Sequence, residues 1–196
     1  MHQSQVAVWA IVREFAKHAF DKTAFVTGGY PRDLHYGRAP TDVDITIPIG
    51  DYDEAKAFAA AEYLCNALAG VGTTVSISQA YTSATADFDS RIHVLIEVRT
   101  QDGQEVDIMF SRSDDLEGVF AGYDSNINQV WLDSLGIPIW AAGHPPAECV
   151  ALKELTADRI LRVQNIASQI GLPIVAESFT VKPVRELDYE DGDHFF

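Results

Sequence analysis

The sequence predicts an α+β fold: a mixed sheet backed by helices, followed by a short helical element near the C-terminus. Three observations carry this reading. Residues 5–20 place Val6, Trp9, Ala10, Val12, Phe15, Ala16 and Ala19 at helical spacing. DVDITI (42–47) and the two runs within RIHVLIEVRTQDGQEVDIMF (91–110) alternate apolar and polar residues as strands do. The stretches 53–69 and 147–170 return to helical composition, and each is closed by a glycine, Gly70 or Gly171.

In chain order, the opening helix gives way to a turn at Asp21-Lys22. AFVTG reads as a short buried strand, Gly28-Gly29 as its exit, and a short helix starts at Pro31, since proline suits the first helical turn. Gly37 ends that helix. After DVDITI and the Ala- and Leu-rich helix of 53–69, TTVSISQA is a further strand. Asp102-Gly103 is the dipeptide best suited to a tight hairpin, so the sheet is mixed or antiparallel in part. Residues 114–122 form a short helix, NQVWLDSLGIPIWA a second hairpin and 147–170 a long helix. A soft boundary near residue 143 separates a head (1–143) from a helical neck (144–175) and an acidic tail (176–196), where ELDYEDGDHFF is charged and aperiodic.

Composition limits the functional classes. A chain of 196 residues, 47% of them hydrophobic, can build the core of one sizeable domain. Its 14 Lys and Arg against 29 Asp and Glu leave a net charge of −15, which excludes a protein that coats long nucleic acid; any contact with nucleic acid is local. No apolar run is long enough to cross a bilayer, and the first twenty residues carry charges inside a helical pattern, unlike a signal peptide. A cytoplasmic location is the expectation. Cys65 and Cys149 lack ligand or CxxC spacing and read as buried thiols in helical contexts. His35 and His93 read as ordinary polar residues, and Trp9, Trp131 and Trp140 as packing residues.

The chemistry is concentrated in FVTGGYPRDLHYGRAPTDVDITI, residues 25–47. Asp42 and Asp44 share one strand face while Val43, Ile45 and Ile47 share the other. Two carboxylates about 6.5 Å apart by strand rise repel by roughly 2 to 3 kcal/mol at an effective dielectric near 20, so positive charge is expected between them. In EVDIMF, Glu105 and Asp107 share the face opposite Val106, Ile108 and Phe110. If that strand lies beside DVDITI, a third carboxylate joins the pair; Asp107, flanked by apolar residues, is preferred over Glu105. Such an oxygen-only set suits Mg²⁺ or Mn²⁺ rather than zinc. Gly28 and Gly29, between strand and helix, let backbone approach an anion, and Arg32 on the first turn can fork onto phosphate oxygens. Arg38 either closes a turn or binds phosphate, and Asp33 reads as a structural partner of Arg32 or Arg38.

Gly28-Gly29-Tyr30-Pro31-Arg32-Asp33-Leu34-His35-Tyr36-Gly37-Arg38-Ala39-Pro40-Thr41-Asp42-Val43-Asp44 resembles the GGxVRDLLLGRxPxDxD signature of the CCA-adding enzymes and bacterial poly(A) polymerases, in the DNA polymerase β-like nucleotidyltransferase superfamily. The resemblance implies a nucleotidyltransferase head with a short helical neck. In it Asp42, Asp44 and Asp107 are catalytic and hold the metal, and Gly28, Gly29 and Arg32 face the phosphates. GYDSNINQVWLD is similar to the family's RRDFTINALAYD, which places Asp124 and Asn128 near the ribose, although both also suit loop chemistry. RILRVQNIASQIG is similar to the neck helix RILRAIRFAAKLG and carries over Arg159 and Arg162, whose shared face suits either solvent or nucleotide. The likeness spans residues 25 to about 172. This sequence departs from the family at Gly122 and Tyr123, where the family has paired arginines. It departs again at Leu155-Thr156, which replace the Glu-Asp of the base-reading group. Little of the tRNA-gripping body fits after residue 172.

These residues imply a metal-dependent transfer from an NTP, ATP or CTP, to an acceptor hydroxyl, with pyrophosphate released. The resemblance makes the acceptor an RNA 3′ end, such as that of tRNA, with a homo-oligomer or partner protein to complete recognition and no membrane contact. The alternatives are nucleotidylation of a small molecule or protein, or a module that binds nucleotide or a partner without turnover.

Overall fold

The computed structural model describes residues 1–79 and 91–181. α1 (Gln3–Phe20), β1 (Phe25–Thr27), α2 (Gly29–His35), β2 (Asp42–Pro48), α3 (Glu54–Ala69) and β3 (Thr74–Gln79) make the first half. β4 (Ile92–Arg99), β5 (Glu105–Ser111), α4 (Leu116–Ala121), β6 (Val130–Leu132), β7 (Pro138–Trp140) and α5 (Ala157–Gln169) follow. The strands form one mixed sheet in the order β3-β4-β5-β2-β1-β6-β7. β2 and β5 run parallel, and the other neighbouring strands pair antiparallel.

Strand alternation gives the sheet its two faces. Val43, Ile45 and Ile47 of β2, Val106, Ile108 and Phe110 of β5, and Val94, Ile96 and Val98 of β4 are buried in one cluster with α1 and α3. Phe110 stacks on Phe15 at 6.0 Å between ring centroids and meets Phe20 edge-on at 5.3 Å. Burying one such ring stabilises the fold by roughly 2 to 3 kcal/mol. The opposite face carries the polar positions of the same strands, Asp42, Asp44, Glu97, Arg99, Glu105 and Asp107. A second cluster joins Ile127, Cys149, Ala151, Leu155, Val163 and Ala167. Ile127 therefore belongs to the same packing unit as residues beyond 143.

Three expectations need correction. The long helix of 147–170 is confined to Ala157–Gln169. The segment before it is held out of helix by long-range backbone bonds: Cys149 N–H donates to the Pro173 carbonyl at 2.7 Å and Leu155 N–H to the Thr180 carbonyl at 3.0 Å. Helical composition loses there to tertiary pairing, and Cys149, though buried, is not helical. α2 starts at Gly29, with Pro31 in its first turn rather than at its start. His93 is fully buried at a bulge in β4, its Nε2 2.8 Å from the Gly50 carbonyl oxygen. The tail ELDYEDGDHFF lies outside the described residues. No helix among the described residues is long and apolar enough to cross a membrane.

Candidate active site

The parallel register sets Asp44 of β2 beside Asp107 of β5, and Asp42 beside Glu105. Adjacent strands lie about 4.8 Å apart, so each pair stands on one face at close quarters. The antiparallel register with β4 adds Glu97 next to Asp107, and Arg99 next to Glu105. Arg99 forms an ion pair with Glu105, so one of the two candidate third carboxylates is neutralised from outside. Asp107 has no such cation in its row; its neighbours there are Glu97 and Asp44.

The electrostatic consequence is an acidic strip that resists full ionisation. Burial, then the charges of Asp42 and Asp107, push the Asp44 carboxyl from 3.8 up to about 7, with Arg162 and Arg32 pulling it back down. Asp107 is likewise raised, by burial, then by Glu97, Asp42 and Glu105. Among the described residues no three His, Cys, Asp or Glu side chains converge closely enough to hold a metal ion. The three aspartates are not gathered, yet their chemistry fits a hard divalent cation. They offer only carboxylate oxygens, from fixed neighbouring strand positions, and their mutual repulsion would be relieved by positive charge.

The approach to this strip is shaped by Gly28, at φ +72°. A Cβ there would stand 3.2 Å from Asp44 Oδ2, so glycine is required both by the backbone and by the carboxylate beside it. Gly28 N–H is committed to the Val130 carbonyl at 3.0 Å; its part in the site is close approach, and its amide is not offered to an anion. Gly29 opens α2, and Arg32 lies buried one turn on, its Nη2 end toward Gly29. Arg32 Nε donates to Asp33 at 2.8 Å and Nη1 to Asn128 Oδ1 at 2.6 Å. The structure thus brings two predicted nucleotide contacts, Arg32 and Asn128, into contact with each other. Arg38 folds back to within 3.8 Å of Asp33.

Asp124 and Arg159 also meet, with Arg159 Nη1 donating at 2.5 Å. Lys153 Nζ joins from 3.0 Å. Burial opposes ionisation of Asp124, but the bonds from Arg159 and Lys153 prevail and its pKa is lowered. The positive charge of Arg162, one turn along α5 from Arg159, favours the ionised form of Asp44. Leu155 is buried in the second cluster and Thr156 caps α5 by accepting from Arg159 N–H at 3.4 Å, so both positions are spent on packing and capping.

Sequence reasoning missed Glu97, Lys153 and the Tyr123 hydroxyl. Glu97 was available from the hairpin: centring the turn on Asp102 pairs Arg99 with Glu105 and Glu97 with Asp107. Lys153 carries no spacing signal. Tyr123 donates to Thr27 Oγ1 at 2.8 Å, and Thr27 is the register partner of Asp44. Burial first, then the Asp44 charge, push the Tyr123 phenol up to about 12 against the pull of its Thr27 bond, keeping it a neutral donor.

No family model matches the chain, and no curated protein does. Solved structures do. A Thermotoga maritima CCA-adding enzyme complexed with tRNA matches at 17% identity over 89% of this chain and 40% of its own, with a TM-score of 0.62. A Bacillus stearothermophilus CCA-adding enzyme in complex with CTP matches at 19% identity over 91% of this chain and 42% of its own, with a TM-score of 0.56. A tRNA nucleotidyltransferase complexed with a primer tRNA and an incoming ATP analog matches at 17% identity over 85% and 47%, with a TM-score of 0.56. The chain spans less than half the length of these proteins. The architecture of its described residues, a mixed seven-stranded sheet with five α-helices, is that of the nucleotidyltransferase head of the CCA-adding enzymes.

Proposed function

We propose that the chain is a nucleotidyltransferase that moves a nucleotide from ATP or CTP to the 3′ hydroxyl of an RNA of tRNA type and releases pyrophosphate. Residues 1–143 act as the head and 144–175 as the neck. The observation that carries this reading is the setting of Asp44: beside Asp107 in the parallel register, on a face that Arg162 and Arg32 approach with opposite charge. The likeness to solved proteins bound to CTP, an ATP analog and tRNA supports it.

In this reading the acceptor hydroxyl oxygen bonds to the α-phosphorus while the bond from that phosphorus to the bridging oxygen breaks. Pyrophosphate leaves with the electron pair. The hydroxyl proton passes to the Asp107 carboxylate, which stands beside Asp44 in the parallel register. Arg32, oriented by Asp33 and Asn128, and Arg162 from α5 hold the triphosphate by charge. Asp42, Asp44 and Asp107 would hold Mg²⁺ or Mn²⁺, which when bound would neutralise phosphate charge and activate the hydroxyl.

Leu155 and Thr156, spent on packing and capping where the resembling pattern has its base-reading pair, favour a second reading, a module that binds nucleotide without turnover. One experiment separates the two. Incubation with each α-labelled triphosphate, Mg²⁺ or Mn²⁺, and RNA, protein and small-molecule acceptors gives labelled RNA under the first reading. Saturable nucleotide binding with no labelled acceptor of any kind supports the second.

A further inference from the structure

Gly122 closes α4 in a conformation open to any residue, φ −83° and ψ −9°. The backbone there does not ask for glycine, and the space beside it is taken by a neighbouring side chain. A Cβ built on Gly122 would fall into the Arg91 guanidinium, with Cζ 2.8 Å and Cδ 3.0 Å away. Arg91 lies across the Gly122 α-carbon and fills the space from which a side chain at 122 would grow. The backbone that delivers it is fixed, since Arg112 N–H donates to the Arg91 carbonyl at 2.7 Å where β4 and β5 meet. At positions 122 and 123, where the resembling pattern has two arginines, this chain has glycine and tyrosine, and the fold returns one guanidinium to that place from the residue just before β4.

Beside Arg91 lies a cavity of about 50 Å³ with apolar walls from Ile92, Met109 and Val119, into which Thr46, Ser111, Ser113 and Tyr123 bring hydroxyls. Its volume is that of roughly one or two waters, enough for a phosphoryl group and too small for a base or sugar. Tyr123 and Thr46 are bonded to the Thr27 hydroxyl, which leaves the Ser111 and Ser113 hydroxyls and the Arg91 guanidinium as the groups facing an anion there. Thr46 is two residues from Asp44 on the same strand face, and Tyr123 is bonded to the register partner of Asp44. The cavity therefore adjoins the acidic strip.

We propose that Arg91, seated on Gly122, is a phosphate-binding residue of the transfer site. It grips a phosphoryl oxygen of the triphosphate or of the acceptor strand. This inference rests on the nucleotidyl-transfer reading, and the test separates the two. The full chain is titrated with tripolyphosphate and, separately, with a short oligoribonucleotide ending in a 3′ hydroxyl, with melting followed in parallel. Arg91→Gly lowers tripolyphosphate affinity by about tenfold or more, as for loss of a charge-assisted bond, and the added Gly122→Arg restores most of it. A loss confined to the oligonucleotide also supports the proposal and assigns the phosphate to the acceptor. Should Arg91→Gly melt early, Arg91→Gln serves instead, without the restoring arm. Unchanged affinity for both probes in a folded Arg91 variant overturns the proposal, as does a loss that Gly122→Arg fails to restore in the folded double variant. If that happens while labelled transfer persists, the function stands and only this inference falls. If wild type binds neither probe, both fall.

Discussion

Asp44→Asn is expected to stabilise the metal-free protein, and by an amount that depends on pH. Burial and the charges of Asp42 and Asp107 raise the Asp44 carboxyl from 3.8 to about 7. A displacement of that size is about 4 kcal/mol between its charged and neutral forms, and about half that after allowance for the solvent contact Asp44 keeps. Because the folded-state pKa is the higher one, the stabilising contribution of the neutral acid is fully present below about pH 4. It is lost as pH rises through about 7. Asparagine has no charge to lose. Urea denaturation with EDTA at about pH 5 and about pH 8 should therefore find the variant more stable than wild type by about 2 kcal/mol at the higher pH, and by clearly less at the lower. The depressed pKa of Asp124 acts in the opposite sense, giving stability that falls away under acid, but both proteins share it and it cancels in the difference. An equal effect of the substitution at both pH values would refute the charge-repulsion account of this site.

Arg32→Ala removes a buried guanidinium that also orients Asn128, and should weaken triphosphate binding by about ten- to a hundredfold, measured by nucleotide titration, with divalent-ion affinity changed less. Discrimination between ATP and CTP should stay below roughly a hundredfold in competition assays, because Leu155 is buried and Thr156 caps a helix, leaving no carboxylate there to read a base edge. A larger preference would mean that another residue reads the base. Acceptor binding should be weak, with a salt dependence equivalent to roughly three phosphates or fewer, since 14 Lys and Arg are outnumbered by 29 acids. A slope equivalent to about six contacts would reveal a basic surface beyond the residues named above.

Much of the site was legible because strand geometry is strict. The period of two in DVDITI and EVDIMF put Asp42 and Asp44 on one face and Asp107 on the matching face of its own strand, before any neighbour was known. What alternation cannot supply is which strands adjoin. The parallel pairing of β2 with β5 follows from long-range packing, with β1 on the other side of β2. The pairings of Arg32 with Asn128 and of Asp124 with Arg159 link residues 96 and 35 positions apart. Spacing is silent about such contacts. The helix of 147–170 was misread at its start for a related reason. Composition there suits a helix, but Cys149 and Leu155 find carbonyl partners around 173 and 180, and that tertiary pairing outweighs a weak local preference. Gly122 shows the reverse case: its glycine looks like a lost arginine until Arg91 is seen to occupy the space.

The most direct test is single-turnover transfer from α-labelled ATP and CTP to an RNA 3′ end in the presence of Mg²⁺ or Mn²⁺, comparing wild type with Asp44→Asn. Labelled RNA from wild type, absent from a folded variant that still binds tripolyphosphate, is the predicted result. Equal labelling by both proteins would contradict the central place given to the Asp44 carboxylate.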